Sequence, residues 1–163
     1  MGRSAIPESM GSHFSAFFGH ESNEFPGRFS YESGTSSLYA FLLAARPKRV
    51  HIPNYICETI PYALEKAGIP TQKYAVEADF TIAYPDRLAA GEYFLVPDYF
   101  GLSADLVHDT LRRVPPERVI VDCAQAYFAD YPDAVARIYS PRKFLPVADG
   151  GFVATRMDLA SER

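Results

Sequence analysis

The sequence has no tryptophan, only two cysteines and no excess of positive charge. Each scarcity excludes something. Cys57 and Cys123 lie far apart, and two such thiols imply no pairing by themselves. No CxxC and no Cys/His spacing of a zinc site occurs. The net charge is -4, and the Lys and Arg residues are scattered rather than striped. Nothing therefore draws the chain to nucleic acid or to an anionic membrane. No apolar run approaches the ~18 residues needed to span a bilayer, and no signal-peptide pattern opens the chain. Free thiols suit a reducing compartment, so a cytoplasmic location is expected. A P-loop, a GxGxxG turn and a GxSxG elbow are also missing, which weighs against a nucleotide-binding loop and a serine hydrolase. His51 and His108 have no evident nucleophile partner and read as ordinary surface or satisfied histidines.

What is present is globular. Of 163 residues, 48% are hydrophobic and 14% aromatic, enough for one domain with a real core. Residues 1–32 have no period but contain Phe14, Phe17, Phe18, Phe25 and Phe29. So many phenylalanines imply a segment that packs on the domain or on a partner chain. From Ser33 a pattern emerges. Ser33-Gly34-Thr35-Ser36-Ser37 precedes Leu38, Phe41, Leu42 and Ala45, whose spacing is that of one helix face. Pro47 should stop that helix.

Val50-His51-Ile52 reads as a short strand closed by Pro53. Ile56, Ile60, Ala63, Leu64 and Ala67 give a second helical face, with Pro61 in the first turn and Gly68 at the C-terminal cap. Strands are expected around Thr71–Val76 and at Tyr93-Phe94-Leu95-Val96. Leu106, Val107, Leu111 and Val114 mark a helix broken by Pro115-Pro116. Val119-Ile120-Val121 is the most strand-like run. Val135–Tyr139 and Phe152–Ala154 complete the series. Alternating strands and helices predict a three-layer α/β domain with a mostly parallel sheet and right-handed crossovers.

In such sheets ligands bind at the carboxyl ends of the strands. Asp122 follows one strand, Ser140 and Lys143 follow another, and Ser33-Gly34-Thr35 opens a helix. Singly, each has a structural reading: a turn cap, a solvated lysine, a helix cap. In this order on successive units they point to one ligand at one rim. Spacing alone names no cofactor.

Six signposts together carry a resemblance. They are Ser33-Gly34-Thr35-Ser36-Ser37-Leu38, Pro53-Asn54-Tyr55, Tyr99-Phe100-Gly101, Asp122-Cys123-Ala124-Gln125-Ala126, Ser140-Pro141-Arg142-Lys143 and Asp149-Gly150-Gly151. Over about residues 25–155 the chain resembles the DegT/DnrJ/StrS group of fold-type I, pyridoxal 5'-phosphate (PLP) dependent sugar aminotransferases.

The resemblance implies the following roles. Lys143 is the Schiff-base lysine and the proton carrier. Asp122 pairs with the protonated pyridine nitrogen. Gln125 contacts the ring near its phenolic oxygen. Gly34, Thr35 and Ser140 hold the phosphate. The reaction is amino transfer from glutamate to a nucleotide-linked keto sugar, in amino-sugar and polysaccharide biosynthesis.

The resemblance also implies that residues 33–163 form an incomplete large domain, with the C-terminal small domain absent from the chain. A homodimer, or a partner supplying the missing half, is then expected. The alternative is a truncated, non-catalytic relative acting as an interaction or assembly module.

Two local features depart from the family pattern. The gap from Ser140 to Lys143 is shorter than is usual there. The position that stacks on the ring falls near Cys57, a residue expected to be small and buried with nothing nearby to lower its pKa; Tyr55 or Tyr99 would have to take over the stacking.

Overall fold

Alternation along a strand decides which side of the sheet each residue serves. The computed structural model describes residues 28–159. In it Val50 and Ile52 of β2 (Arg49–Pro53), Leu95 of β4 (Glu92–Pro97), Ile120 of β5 (Val119–Asp122), Ile138 of β6 (Ala136–Tyr139) and Val153 of β7 (Gly151–Thr155) share one core. Their neighbours Phe94, Val96, Val119, Val121, Tyr139, Phe152 and Ala154 form a second core on the opposite face.

The first core is closed by α1 (Gly34–Ala45) and α2 (Thr59–Lys66), and the second by α3 (Ala104–Arg113). That is the expected three-layer α/β arrangement. Together with β1 (Arg28–Tyr31) and β3 (Thr71–Tyr74), the strands form a seven-stranded sheet in the order β1-β7-β6-β5-β4-β2-β3. The pairs from β3 through β6 are parallel. Strand β7 runs antiparallel to β6 and to β1.

The helices fall on the expected apolar patterns. Leu38, Phe41 and Leu42 of α1 are fully buried, and each contributes about 1.5–3 kcal/mol by leaving water. The Ser33 hydroxyl accepts the Ser36 N–H at 3.1 Å and so caps the helix. The buried Ser37 hydroxyl donates to the Ser33 carbonyl at 2.9 Å. Arg46 takes a left-handed conformation (φ 47) after Ala45, and Pro47 lies just beyond.

Three expectations need correction. Residues 28–31 are not irregular. They form edge strand β1, with Phe29 and Tyr31 packed on the first core and Arg28 and Ser30 exposed. A period of two over four residues is too short to stand out among flanking glycine and serine. The stretch expected as Thr71–Val76 ends as a strand at Tyr74, and Val76 makes only an isolated bridge to Ile82. Finally, helices do not alternate throughout: β3 reaches β4, β5 reaches β6 and β6 reaches β7 without an α-helix. Phe14, Phe17, Phe18 and Phe25 lie outside the described residues.

The Asp149-Gly150-Gly151 signpost has a steric cause. Gly150 turns the chain at φ 108 and donates its N–H to the Glu32 carbonyl at 2.8 Å. A Cβ on Gly151 would fall on the backbone of Ser33 and Gly34. The α1 entrance and the β7 entrance therefore touch backbone to backbone.

Gly151→Ala should lower unfolding free energy by about 3 kcal/mol or more, because rigid backbone must move. Gly68→Ala should cost only about 1 kcal/mol, since it faces a positive φ of 70 but open space. Urea titration of both variants checks the ranking, and equal costs would contradict it.

Candidate functional site

Three chain segments end together at the carboxyl rim of the sheet. Strand β5 delivers Asp122, β6 delivers Ser140, and the turn after β1 delivers the first turn of α1. Beyond Ser140 a 3₁₀ turn, Pro141–Lys143, carries the two cations Arg142 and Lys143. A cleft of about 90 Å³ lies between these ends, lined by Ser33, Gly34, Thr35, Cys57, Thr59, Ile60, Asp122, Ala124, Ile138, Ser140, Arg142 and Lys143. Larger hollows exist. One of about 570 Å³ lies between residues 79–84 and α3, but neither a lysine nor a thiol lines it.

Lys143 and Asp122 thus face one space, together with Gly34, Thr35 and Ser140. Asp122 Oδ1 accepts the Ala124 N–H at 2.9 Å. Burial pushes the Asp122 carboxyl above the usual carboxylate range, while the Ala124 amide and the Lys143 ammonium pull it down. Ser140 is 5% exposed, and no hydrogen bond to its hydroxyl exists among the described residues. The first helical turn leaves N–H groups with no acceptor inside the helix. Ser33 takes that of Ser36, and those of Gly34 and Thr35 belong to the same turn.

Gln125 is the exception. It does not line the cleft. Its Oε1 accepts the Phe100 N–H at 3.0 Å. Phe100 sits at φ 59, a left-handed conformation rare for a bulky residue. The turn closed by Ala126 N–H on the Cys123 carbonyl (3.0 Å) aims Gln125 at this loop. Gly101 backs against the Gln125 carbonyl. Buried Asp98 braces the loop from below, accepting from Tyr131 Oη at 2.6 Å and from the Ser103 N–H at 3.0 Å.

Neither aromatic substitute lines the cleft. Tyr99 is buried and donates its hydroxyl to the Tyr55 carbonyl at 2.7 Å. Tyr55 stays exposed, with its ring 5.7 Å from that of Tyr99.

Cys57 corrects another expectation. It is exposed rather than buried and lines the cleft. The Thr59 hydroxyl donates to its Sγ at 3.3 Å. This bond, with the Thr59 amide and the Lys143 ammonium, pulls the thiol below its ordinary pKa. Thr59 and Arg142 were also missed as lining residues. Their signal was proximity alone: Thr59 stands two places after Cys57, and Arg142 adjoins Lys143. His51 is a satisfied histidine, with Nε2 3.0 Å from Glu92. His108 sets its ring edge-on to Tyr131.

The donor set fits pyridoxal 5'-phosphate: amides and a hydroxyl for an anion, a carboxylate for a ring nitrogen, and an amine for the aldehyde. About 90 Å³ is well short of the ~300 Å³ or more usual for small-molecule sites. Such a ligand would leave much of itself outside the cleft.

No protein-family model and no curated protein matches the sequence. Solved structures do match the fold. The sugar aminotransferase CalS13 from Micromonospora echinospora superposes with TM-score 0.62 at 22% identity, over 83% of this chain and 43% of its own. DesI, solved in the presence of its TDP-sugar product, gives 0.62 at 18% identity, over 85% and 39%. NtdA from Bacillus subtilis, with bound cofactor PMP, gives 0.60 at 18% identity, over 81% and 34%. The fold is that of the PLP-dependent sugar aminotransferases, and the chain spans less than half the length of these structures. Among the described residues no helix is long and apolar enough to cross a membrane.

Two outcomes follow from the charges. A carboxyl with a raised folded pKa keeps its proton longer folded than unfolded, so it lowers stability as pH climbs from the ordinary carboxylate range to that raised value. Asp122→Asn should therefore raise Tm at neutral pH and flatten this part of the pH profile. A lower Tm for the variant would contradict the burial argument. For the thiols, iodoacetamide should alkylate Cys57 in the folded protein but leave buried Cys123 untouched. In Thr59→Val the midpoint of the alkylation rate against pH should move upward, and an unchanged midpoint would remove the role given to the Thr59 bond.

Proposed function

We propose that this chain carries the cofactor-binding part of a PLP-dependent aminotransferase acting on a nucleotide-linked keto sugar, with glutamate as amino donor. The observation that supports it is the shared cleft: the Lys143 amine and the Asp122 carboxylate line one space beside the α1 entrance. The likeness to sugar aminotransferases, one of them solved with a TDP-sugar product, supplies the substrate class.

When bound, the cofactor supplies an electrophilic aldehyde and a ring that accepts electrons. The chain's own residues do the rest. Lys143 Nζ would hold the cofactor at its aldehyde, and as a free amine would carry a proton to and from the substrate carbon. Asp122 holds the proton on the ring nitrogen, and a cation there reverses the burial penalty on its carboxyl. The Gly34 and Thr35 amides and the Ser140 hydroxyl bind the phosphate at a helix entrance. Gln125 serves by holding the Phe100 loop.

A second reading, an assembly module without catalysis, rests on the exposed apolar side chains Leu102 and Phe128, 87% and 82% accessible. In the leading reading these exposed side chains would serve a homodimer or a separate chain that completes the site.

Titration of the purified protein with PLP should produce a visible absorbance band that is absent in Lys143→Ala. No band under any condition removes the catalytic claim. An oligomer by light scattering without a band favours the assembly reading.

A further inference from the structure

We propose that residues 1–27 of this chain dock on the second face of the sheet, over β6 and β7, with their phenylalanines seated on an aromatic patch that ends at Phe128. The proposal does not rest on the cofactor reading. It takes Phe128 from the partner surface and leaves Leu102 to it.

Helix α3 covers the second face over β4 and β5. Over β6 and β7 that face carries a row of rings instead. The Phe152 ring of β7 lies 6.2 Å from Tyr127. Tyr127 stacks on Phe144 at 5.9 Å, and Phe144 meets Phe128 edge-on at 6.1 Å. The row is buried at one end and open at the other: Phe152 is 8% exposed, Phe144 41% and Phe128 82%. A single ring in water is ordinary, but a contiguous row running into water offers a seat for apolar side chains.

The occupant follows from where the chain enters. The described residues begin at Arg28, whose guanidinium lies 4.9 Å from the Phe152 ring, at the buried end of the row. Residues 1–27 therefore join the fold beside the patch, and they carry Phe14, Phe17, Phe18 and Phe25. An extended chain spans at most ~3.6 Å per residue, so Phe25 comes within about 10 Å of Arg28 and Phe17 within about 40 Å. A tethered segment is also held near the patch at high effective concentration, which a separate partner is not.

Charge agrees with this occupant. Arg28, Ala154 and Arg137 stand in one row across β1, β7 and β6. Both arginines alternate with residues of the first core, namely Phe29, Ala136 and Ile138, and so belong to the second face. The two guanidiniums repel each other. Arg137 Nε is buried and makes no hydrogen bond among the described residues, its 3.1 Å approach to Asp130 being misaligned for one. The segment brings Glu21 and Glu24 just ahead of Arg28. Carboxylates and phenylalanines in one stretch match a basic row beside an aromatic patch.

Hydrogen–deuterium exchange of the full chain, read by mass spectrometry, tests this. In wild type the amides between residues 14 and 25 should exchange at least about tenfold more slowly than those of an unstructured chain. Phe128→Asp should reduce that protection roughly tenfold to a hundredfold, the worth of seating one aromatic ring. Phe128→Leu should keep most of it. Leu102→Asp, whose side chain is no part of the row, should leave it unchanged. Glu21→Gln combined with Glu24→Gln should cost about threefold. The amides of α1 report in each variant that the fold is intact.

Exchange in wild type at the rate of an unstructured chain would overturn the proposal. So would equal protection in wild type and Phe128→Asp, or no loss in the double glutamine variant. Protection that fades on dilution would overturn it too, because the patch would then belong to a second copy.

Discussion

The rest of the structure depends on one backbone contact, the seating of the α1 entrance over the start of β7. Gly151 has no space for a side chain because Ser33 and Gly34 lie on it. That contact brings the first turn of α1 to the carboxyl ends of β5 and β6, where Asp122 and Ser140 emerge. A helix whose entrance faced elsewhere would bury the same Leu38, Phe41 and Leu42 and form no cleft. Packing energy alone does not specify this placement. The glycine pair and the β1–β7 ladder do, by fixing where the chain can turn back.

Charge then distinguishes the cleft from an ordinary end of a parallel sheet. A half-buried carboxyl without a cation in contact has its pKa raised by desolvation, and a thiol beside a hydroxyl donor and an ammonium has its own lowered. The carboxyl's raised value costs the unliganded fold stability at neutral pH, whereas the thiol's lowered value does not. Groups held in this way are candidates for function on physical grounds, separate from any likeness to other proteins. The Phe100 loop fits the same account. A bulky residue at positive φ costs free energy and persists because Gln125, Asp98, Ser103 and Tyr131 hold the loop in place.

The long-period features were legible in the sequence. Val119-Ile120-Val121 and the Leu38, Phe41, Leu42 face state their class in their own composition, and a buried core has few ways to use them. The convergence of residues 34, 122 and 143 followed from strand order, since side chains at successive strand ends must share a rim. What was illegible depended on direction rather than spacing. Gln125 and Asp122 stand three residues apart on a turn, and only the turn decides that one side chain enters the cleft and the other braces a loop. Cys57 looked like a small core residue because nothing in one dimension shows that it precedes α2 at the cleft. Strand β1 was hidden for a plainer reason: four residues with two exposed give almost no period.

The size of the cleft carries the last step. A ring bearing a phosphate cannot be enclosed by a space of about 90 Å³, so these residues alone hold at most its anchoring points. Desolvation is what would make a carboxylate, a lysine and a helix entrance act strongly on a ligand, and an open cleft supplies little of it. On the proposed cofactor reading, the wall that excludes water would come from beyond the described residues, from more of this polypeptide, a second copy or another chain. The exposed rings of Tyr55 and Phe100, half accessible at 57% and 54%, belong to the two loops that Tyr99 and Gln125 fasten at this rim. A bulky side chain held exposed at a positive φ by a braced loop carries a cost that solvent contact alone does not offset.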